Sequence, residues 1–378
     1  MKYYLIAGEA SGDLHGSGLM NALGKLDPDA EFRFWGGDLM EREGGTLVRH
    51  IRTTSLMGFW EVVKNVRQIY SHIRFCEQDI LKYNPDALIL IDYPGFNLRM
   101  ARYAKKRGIR VIYFISPKVW AWNQSRVRTI KKYVDYMLTI LPFETEFYEK
   151  FGYKVDYIGN PLVDAIENRS FRNESFIDFI KRNNLPDKPL ISILPGSRVQ
   201  EIKKSLPIML SLKDEYPDFQ FVIAGAPAID PALYSQYTGD HNPVLFGQTY
   251  AILQQSSAAM VVSGTATLET ALLGVPQVVC YRASPVSYHI AKRFIRVRYI
   301  SLVNLIMDRQ VVRELIQHDF NREKLKDEMD KLLFNRAAGN EMKEDLSKLK
   351  KIVGPGGACK KAAEKIDGYL KIRYEQHV

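Results

Sequence analysis

Arg198 directly follows Gly196 and Ser197, after the apolar run Leu190–Leu194. Glycine permits close backbone approach, serine offers a hydroxyl, and a guanidinium binds phosphate oxygens as a fork. The chemistry suited to this trio is anion binding, although an arginine at an ordinary strand–helix turn would look the same. A second turn, Ser263-Gly264-Thr265-Ala266-Thr267-Leu268-Glu269, also follows an apolar run. The hydroxyls of Ser263, Thr265 and Thr267 suit another phosphate beside Gly264, and Glu269 suits a ribose hydroxyl. The plainer role for Glu269 is a carboxylate near a helix start, stabilised by the macrodipole.

Asp92 ends the apolar run Leu88-Ile89-Leu90-Ile91 and precedes Tyr93-Pro94-Gly95, which breaks regular structure. A partly desolvated carboxylate there can act as a general base, or it can simply cap the next helix. Glu9 and Asp13 carry the same two readings in the turn Gly8-Glu9-Ala10-Ser11-Gly12-Asp13. His15 reads as a helix residue rather than a catalyst. Carboxylates so scattered suggest no metal site, and Asp27-Pro28-Asp29 reads as a turn.

The elements that must position these groups alternate between strand and helix. Tyr3-Tyr4-Leu5-Ile6-Ala7 is a strand before the first turn, and Val111-Ile112-Tyr113-Phe114-Ile115 and Met137-Leu138-Thr139-Ile140-Leu141 are others. A helix is expected over 98–106. Residues 164–189 turn polar and Asn-rich, and the pattern then restarts with strands at 190–194, 219–224, 259–262 and 277–281, and helices from about 199 and 267. This alternation argues for two doubly wound, Rossmann-like α/β domains facing a cleft. The expected divisions are 1–164, 165–350 and a final 351–378 that crosses back onto the first domain after the break Gly354-Pro355-Gly356-Gly357.

With 378 residues, 46% of them hydrophobic, the chain can bury two ordinary cores. No basic leader or apolar stretch of about 20 residues suggests a signal peptide or a membrane span. Cys76, Cys280 and Cys359 form no CxxC pair, so a soluble cytoplasmic protein is expected. A net charge of +10 and a pI near 9.2 favour anionic partners. No RNP motif, zinc finger or basic tail supports nucleic acid. Residues 56–75 and 292–298 interleave basic and apolar side chains, which suits an anionic bilayer surface or an ordinary amphipathic stripe.

In order and spacing these motifs resemble the lipid-A-disaccharide synthases over nearly the whole chain. The resemblance rests on residues 8–13, Met57-Gly58, Ile91-Asp92, Ser116-Pro117 with Val119-Trp120-Ala121-Trp122 and Arg126, and Leu141-Pro142-Phe143-Glu144. It continues through residues 161–164, 194–198 and 263–269 and Asn304-Leu305, with Trp-Ala-Trp the most distinctive. It implies an inverting GT-B glycosyltransferase that joins UDP-2,3-diacylglucosamine to 2,3-diacylglucosamine 1-phosphate, forming a β-1,6-linked disaccharide and UDP. Asp92 matches the proposed general base, and Glu9 is carried as its catalytic neighbour. Gly196, Ser197, Arg198 and the 263–269 turn would hold UDP. Ser11, Asp13, Trp120, Trp122, Arg126 and Asn304 would line the acceptor side. No cofactor or metal is implied. The setting would be peripheral, on the cytoplasmic face of the inner membrane, with a homo-oligomer left open.

Gly95 stands where the family often has Asp, Lys118 and Asn123 where Ser and Arg are common, and Asn160 where His is frequent. These departures touch acceptor recognition more than the reaction. A UDP-sugar 2-epimerase would share the fold, and a non-catalytic lipid- or nucleotide-binding module would tolerate loss of Asp92. A Rossmann oxidoreductase is disfavoured, because Gly16 and Gly18 are not followed by glycine at 21.

Overall fold

The computed structural model describes residues 1–53, 66–239, 242–284, 288, 293 and 297–375. The chain divides into two units, 1–164 together with 356–378, and 165–355. The first is built on a sheet of β1 (Lys2–Ala7), β2 (Glu31–Gly36), β3 (Thr46–His50), β4 (Ala87–Ile91), β5 (Arg110–Phe114), β6 (Tyr136–Thr139) and β7 (Asp156–Tyr157). Among the described residues its order is β3-β2-β1-β4-β5-β6-β7, with every neighbouring pair parallel.

The central strands are apolar throughout because parallel strands are covered on both faces. Alternation along each strand then sorts the side chains into two layers. Tyr4, Ile6, Leu88, Leu90, Val111 and Tyr113 pack with Ile73, Cys76, Ile80 and Met100 on one face. On the other, Tyr3, Leu5, Ile89, Ile91, Ile112 and Phe114 meet Leu19 and Leu23, and also Ala362, Ala363, Ile366 and Leu370 of the final helix Ala358–Glu375. Asp164 holds the start of that helix, its carboxylate accepting from the N–H groups of Gly357 and Cys359.

The second unit repeats the plan with β8 (Leu190–Leu194), β9 (Gln220–Gly225), β10 (Val244–Phe246), β11 (Ser256–Val262), β12 (Gln277–Tyr281) and β13 (Arg313–Ile316). Their order is β10-β9-β8-β11-β12-β13, again all parallel. One layer joins Ile191, Ile193, Ile223 and Met260 to Ile202, Leu206 and Met329. The opposite layer joins Leu190, Val222 and Val261 to Phe179, Ile180 and Ile252.

Several local expectations are revised. The helix expected over 98–106 runs Pro94–Lys105, because Pro94 starts it rather than breaking it. The polar region 164–189 is not all linker, since it holds the end of Pro161–Glu167 and the helix Phe176–Arg182. Ser175 caps the latter by accepting from the Asp178 N–H. The chain from 351 first completes the helix Arg336–Val353.

Of the two basic-apolar stretches, residues 56–65, 292 and 294–296 lie outside the described residues, and Met57-Gly58 is among them. The helix Val66–Tyr83 buries Ile73, Cys76 and Ile80 and exposes Tyr70 and Phe75. Among the described residues, no helix is long and apolar enough to cross a membrane.

Candidate active site

In an open parallel sheet, ligands bind beyond the strand C-termini where the winding reverses. In the first unit that point lies between β1 and β4, since β2 lies on one side and β5 on the other. Glu9 follows β1 and Asp92 follows β4, so both carboxylates emerge there. Glu9 and Ser11 are exposed at the start of the helix Ala10–Leu26.

Asp92 and Tyr93 are consecutive left-handed residues, with φ of 43° and 46°. Such conformations cost on the order of 1–3 kcal/mol each and persist only where the surroundings impose them. Here Asn97 Nδ2 donates to the Asp92 carbonyl at 2.8 Å, and to the carbonyls of Ile91 and Ile6 at 3.2 and 3.3 Å. The Tyr113 hydroxyl donates to the same Asp92 carbonyl at 2.5 Å. Burial pushes the Asp92 carboxyl up to about 6; Lys118 and the Tyr93 N–H oppose the shift, while the charge of Glu9 adds to it. A carboxylate with that value is ionised near neutrality and basic enough to accept a proton.

Past β5, Trp120 is buried and its Nε1 donates to Glu144 Oε1 at 3.1 Å. Glu144 Oε2 accepts from the N–H groups of Ile140 and Leu141 at 3.2 and 3.0 Å. Burial pushes Glu144 up to about 7 against those hydrogen bonds. Trp120 is therefore an anchor, whereas Trp122 is exposed with the Arg126 guanidinium 4.9 Å from its ring centre.

The second unit reverses between β8 and β11. After β8, Gly196 has φ of 107°, and Arg198 leads exposed into the helix Val199–Leu210. The Ser197 N–H donates to Glu201 Oε2 at 3.1 Å, and Arg198 Nη1 lies 3.6 Å from Glu201 Oε1. After β11, Gly264 and Thr265 are exposed at the start of the helix Thr265–Leu272. Neither helix has a side-chain cap, in contrast to those begun by Ser175, Asp230, Ser301 and Asn321. Uncapped N–H groups at these turns can meet an anion.

The surrounding side chains refine the roles expected from sequence. Ser263 spends its hydroxyl proton on the Ile300 carbonyl at 3.0 Å. Glu269 Oε1 accepts from Tyr250 at 2.7 Å, and burial raises the carboxyl. Thr267 is corrected: it is buried and bonds back to the Gly264 carbonyl at 2.9 Å, so its hydroxyl does not face a phosphate.

Asp13 is also corrected. Its buried carboxylate accepts from the N–H groups of Gly37, Leu39 and Met40 and starts the helix Asp38–Arg42 instead of meeting an acceptor. Asn304 is fully buried, donating to Val312 and Glu314 and accepting from the N–H groups of Val311 and Val312. It knits the Leu302–Met307 helix to β13 and is removed from the ligand-facing set.

The supporting groups Asn97, Tyr113, Glu144, Glu201 and Tyr250 were not assigned roles from sequence. Glu144 had a signal only as the end of the Leu141–Glu144 motif, and Glu201 only in following the Gly196–Arg198 turn by three residues. Among the described residues, no group of three or more His, Cys, Asp or Glu side chains is placed to hold a metal ion.

The family model described as lipid-A-disaccharide synthetase matches residues 3–364. The lipid-A-disaccharide synthase of Geobacter sulfurreducens is 37% identical over 366 residues, covering 95% of this chain and 94% of its own. That of Syntrophus aciditrophicus is 39% identical over 367 residues, covering 95% of each. Among solved structures, an S. aureus MnaA–UDP complex aligns with a TM-score of 0.71 at 14% identity, covering 98% of this chain and 97% of that one. A Neisseria meningitidis UDP-GlcNAc 2-epimerase bound to UDP-GlcNAc gives 0.66 at 14% identity, covering 97% and 99%. At such identities the structural likeness shows the fold, two parallel α/β units of the GT-B type.

Proposed function

The chain belongs to the lipid-A-disaccharide synthetase family, and on that premise we propose how its residues carry out the synthesis. UDP-2,3-diacylglucosamine is the donor, 2,3-diacylglucosamine 1-phosphate the acceptor, and the β-1,6-linked disaccharide 1-phosphate and UDP are the products. Asp92 takes the proton from the acceptor 6-hydroxyl. The oxygen attacks the anomeric carbon, the bond to the diphosphate breaks, and the configuration inverts. Arg198 and the backbone N–H groups after β8 and β11 meet the charge that grows on the departing UDP. Glu269, held on one oxygen by Tyr250, receives the ribose. Glu9 stands beside Asp92 as its catalytic neighbour, Ser11, Trp122 and Arg126 remain the acceptor-side residues, and no metal is assigned.

The observation that carries this reading is the position of both groups of residues. Asp92 and Glu9 follow the two strands at the reversal point of one sheet, and Arg198 and Gly264 follow the two at the other. The same reading sets the protein peripherally on the cytoplasmic face of the inner membrane, supported by its net charge of +10 and by substrates that carry acyl chains.

The test is UDP release from UDP-2,3-diacylglucosamine in detergent micelles with EDTA, with and without the acceptor. Acceptor-dependent release that survives EDTA is expected. Release without acceptor would overturn the transfer reaction, and loss in EDTA would overturn the metal-free assignment.

A further inference from the structure

The turn after β8 is already occupied by an anion belonging to the chain itself. Glu201 Oε2 takes the Ser197 N–H at 3.1 Å, and Glu201 Oε1 faces Arg198 Nη1 at 3.6 Å. The carboxylate also fills the space that Gly196 leaves open: a Cβ built on Gly196 would lie 2.5 Å from Glu201 Oε2. The Glu201 side chain is 27% exposed, while Arg198 is 57% exposed. Tyr281, at the end of β12, lies within the field of both charges.

We propose that Glu201 is an internal anion that stands in for the nucleotide diphosphate in this turn, competes with it and is displaced when it binds. The inference rests on the assignment of this turn to UDP. A phosphate oxygen and a carboxylate oxygen need the same donors, and two anions on one N–H and one guanidinium repel each other. A partly exposed ion pair is weakly held, so a diphosphate with several oxygens displaces it. Uridine without phosphates does not, and the turn stays closed to it. Glu201 thereby fills the turn when no diphosphate is bound and lowers the affinity for the diphosphate that displaces it.

The experiment is calorimetric titration of the full chain, wild type, Glu201→Gln and Glu201→Asp, with UDP, inorganic pyrophosphate and uridine. Both variants should bind UDP and pyrophosphate about two- to fivefold more tightly, the worth of one exposed ion pair. Gln lacks the charge and Asp keeps it on a stem too short to reach. Uridine affinity should not change, and the gain should shrink in high salt. Glu201→Asp, which retains a carboxylate, keeps the test valid if Gln disturbs the helix start. Equal or weaker binding of UDP and pyrophosphate by both folded variants overturns the inference while leaving the UDP assignment intact. Failure of UDP to bind any of the three proteins overturns both.

Discussion

The Tyr93 ring rests against the Gly8 backbone so closely that a Cβ on Gly8 would lie 2.3 Å from Tyr93 Cγ and 2.4 Å from Cδ1. This contact ties the turn after β1 to the turn after β4, the two that carry Glu9 and Asp92. Gly8→Ala is therefore expected to destabilise the protein by about 1–3 kcal/mol, as overpacking does, and to lower kcat by shifting the Asp92 loop. Adding Tyr93→Ala removes the obstructing ring, so the double variant should lose less stability than the two single variants summed. Thermal melts of all four proteins decide it, and strictly additive losses count against the contact.

Asp92→Asn should lower kcat by about 10²–10⁴-fold, the range for losing a general base, while UDP still binds. In the wild type the rate should fall as pH drops through about 6, where Asp92 takes up a proton. Stability runs the other way. The folded state raises this carboxyl from 3.8 to about 6 and so holds the proton more tightly than the unfolded chain. That contribution to stability is lost as pH rises across this window. Asp92→Asn has no such slope and should gain on the wild type above pH 6. Melting curves and rate profiles from pH 4 to 8 check both signs.

Glu144→Gln tests the anchor beneath Trp120. An amide turns an N–H toward donors that now meet a carboxylate, and each unsatisfied group costs about 1–3 kcal/mol. Burial raises Glu144 from 4.5 to about 7, so its protonated form is favoured by folding. The wild-type advantage over Glu144→Gln should narrow as pH rises from about 4.5 to 7. Denaturation followed by tryptophan fluorescence measures this, and a gap that widens with pH would contradict it.

Arg198 and Asn304 should separate binding from stability. Arg198→Ala removes an exposed side chain and should weaken UDP binding by about 1.5–3 kcal/mol with little change in Tm. Asn304→Ala takes its partner from the buried N–H and carbonyl of Val312 and from the part-buried N–H of Val311, and one of several donors from Glu314. It should lower Tm by several degrees and leave UDP affinity unchanged. Calorimetry and melts on both variants show whether the roles are reversed.

What could be read from sequence depended on how far away the partners lie. The place of Asp92 after β4 was legible because an apolar strand ends on it, and that of Arg198 in the turn after β8 because glycine and serine precede it. Asp13 looked like a ligand because nothing local reveals that Gly37, Leu39 and Met40 arrive to consume its oxygens. Asn304 misled for a similar reason, as its partners lie across a turn in and before β13. Pro94 was read as a breaker although proline suits a first helical position. Phe179 and Ile180 were hidden in an Asn-rich stretch that resembled a linker but packs on the second sheet.

The placement of the final helix also bears on how the chain is made. Leu19 and Leu23 leave a ribosome long before their packing partners Ile366 and Leu370. At ~5–20 residues per second the first unit waits roughly 10–40 s after Asp164 before its closing element exists. Residues 165–355 are complete sooner and can fold within that interval. A nascent chain therefore finishes its second unit while an apolar face of the first is still uncovered, which makes that face the natural target for chaperones during synthesis.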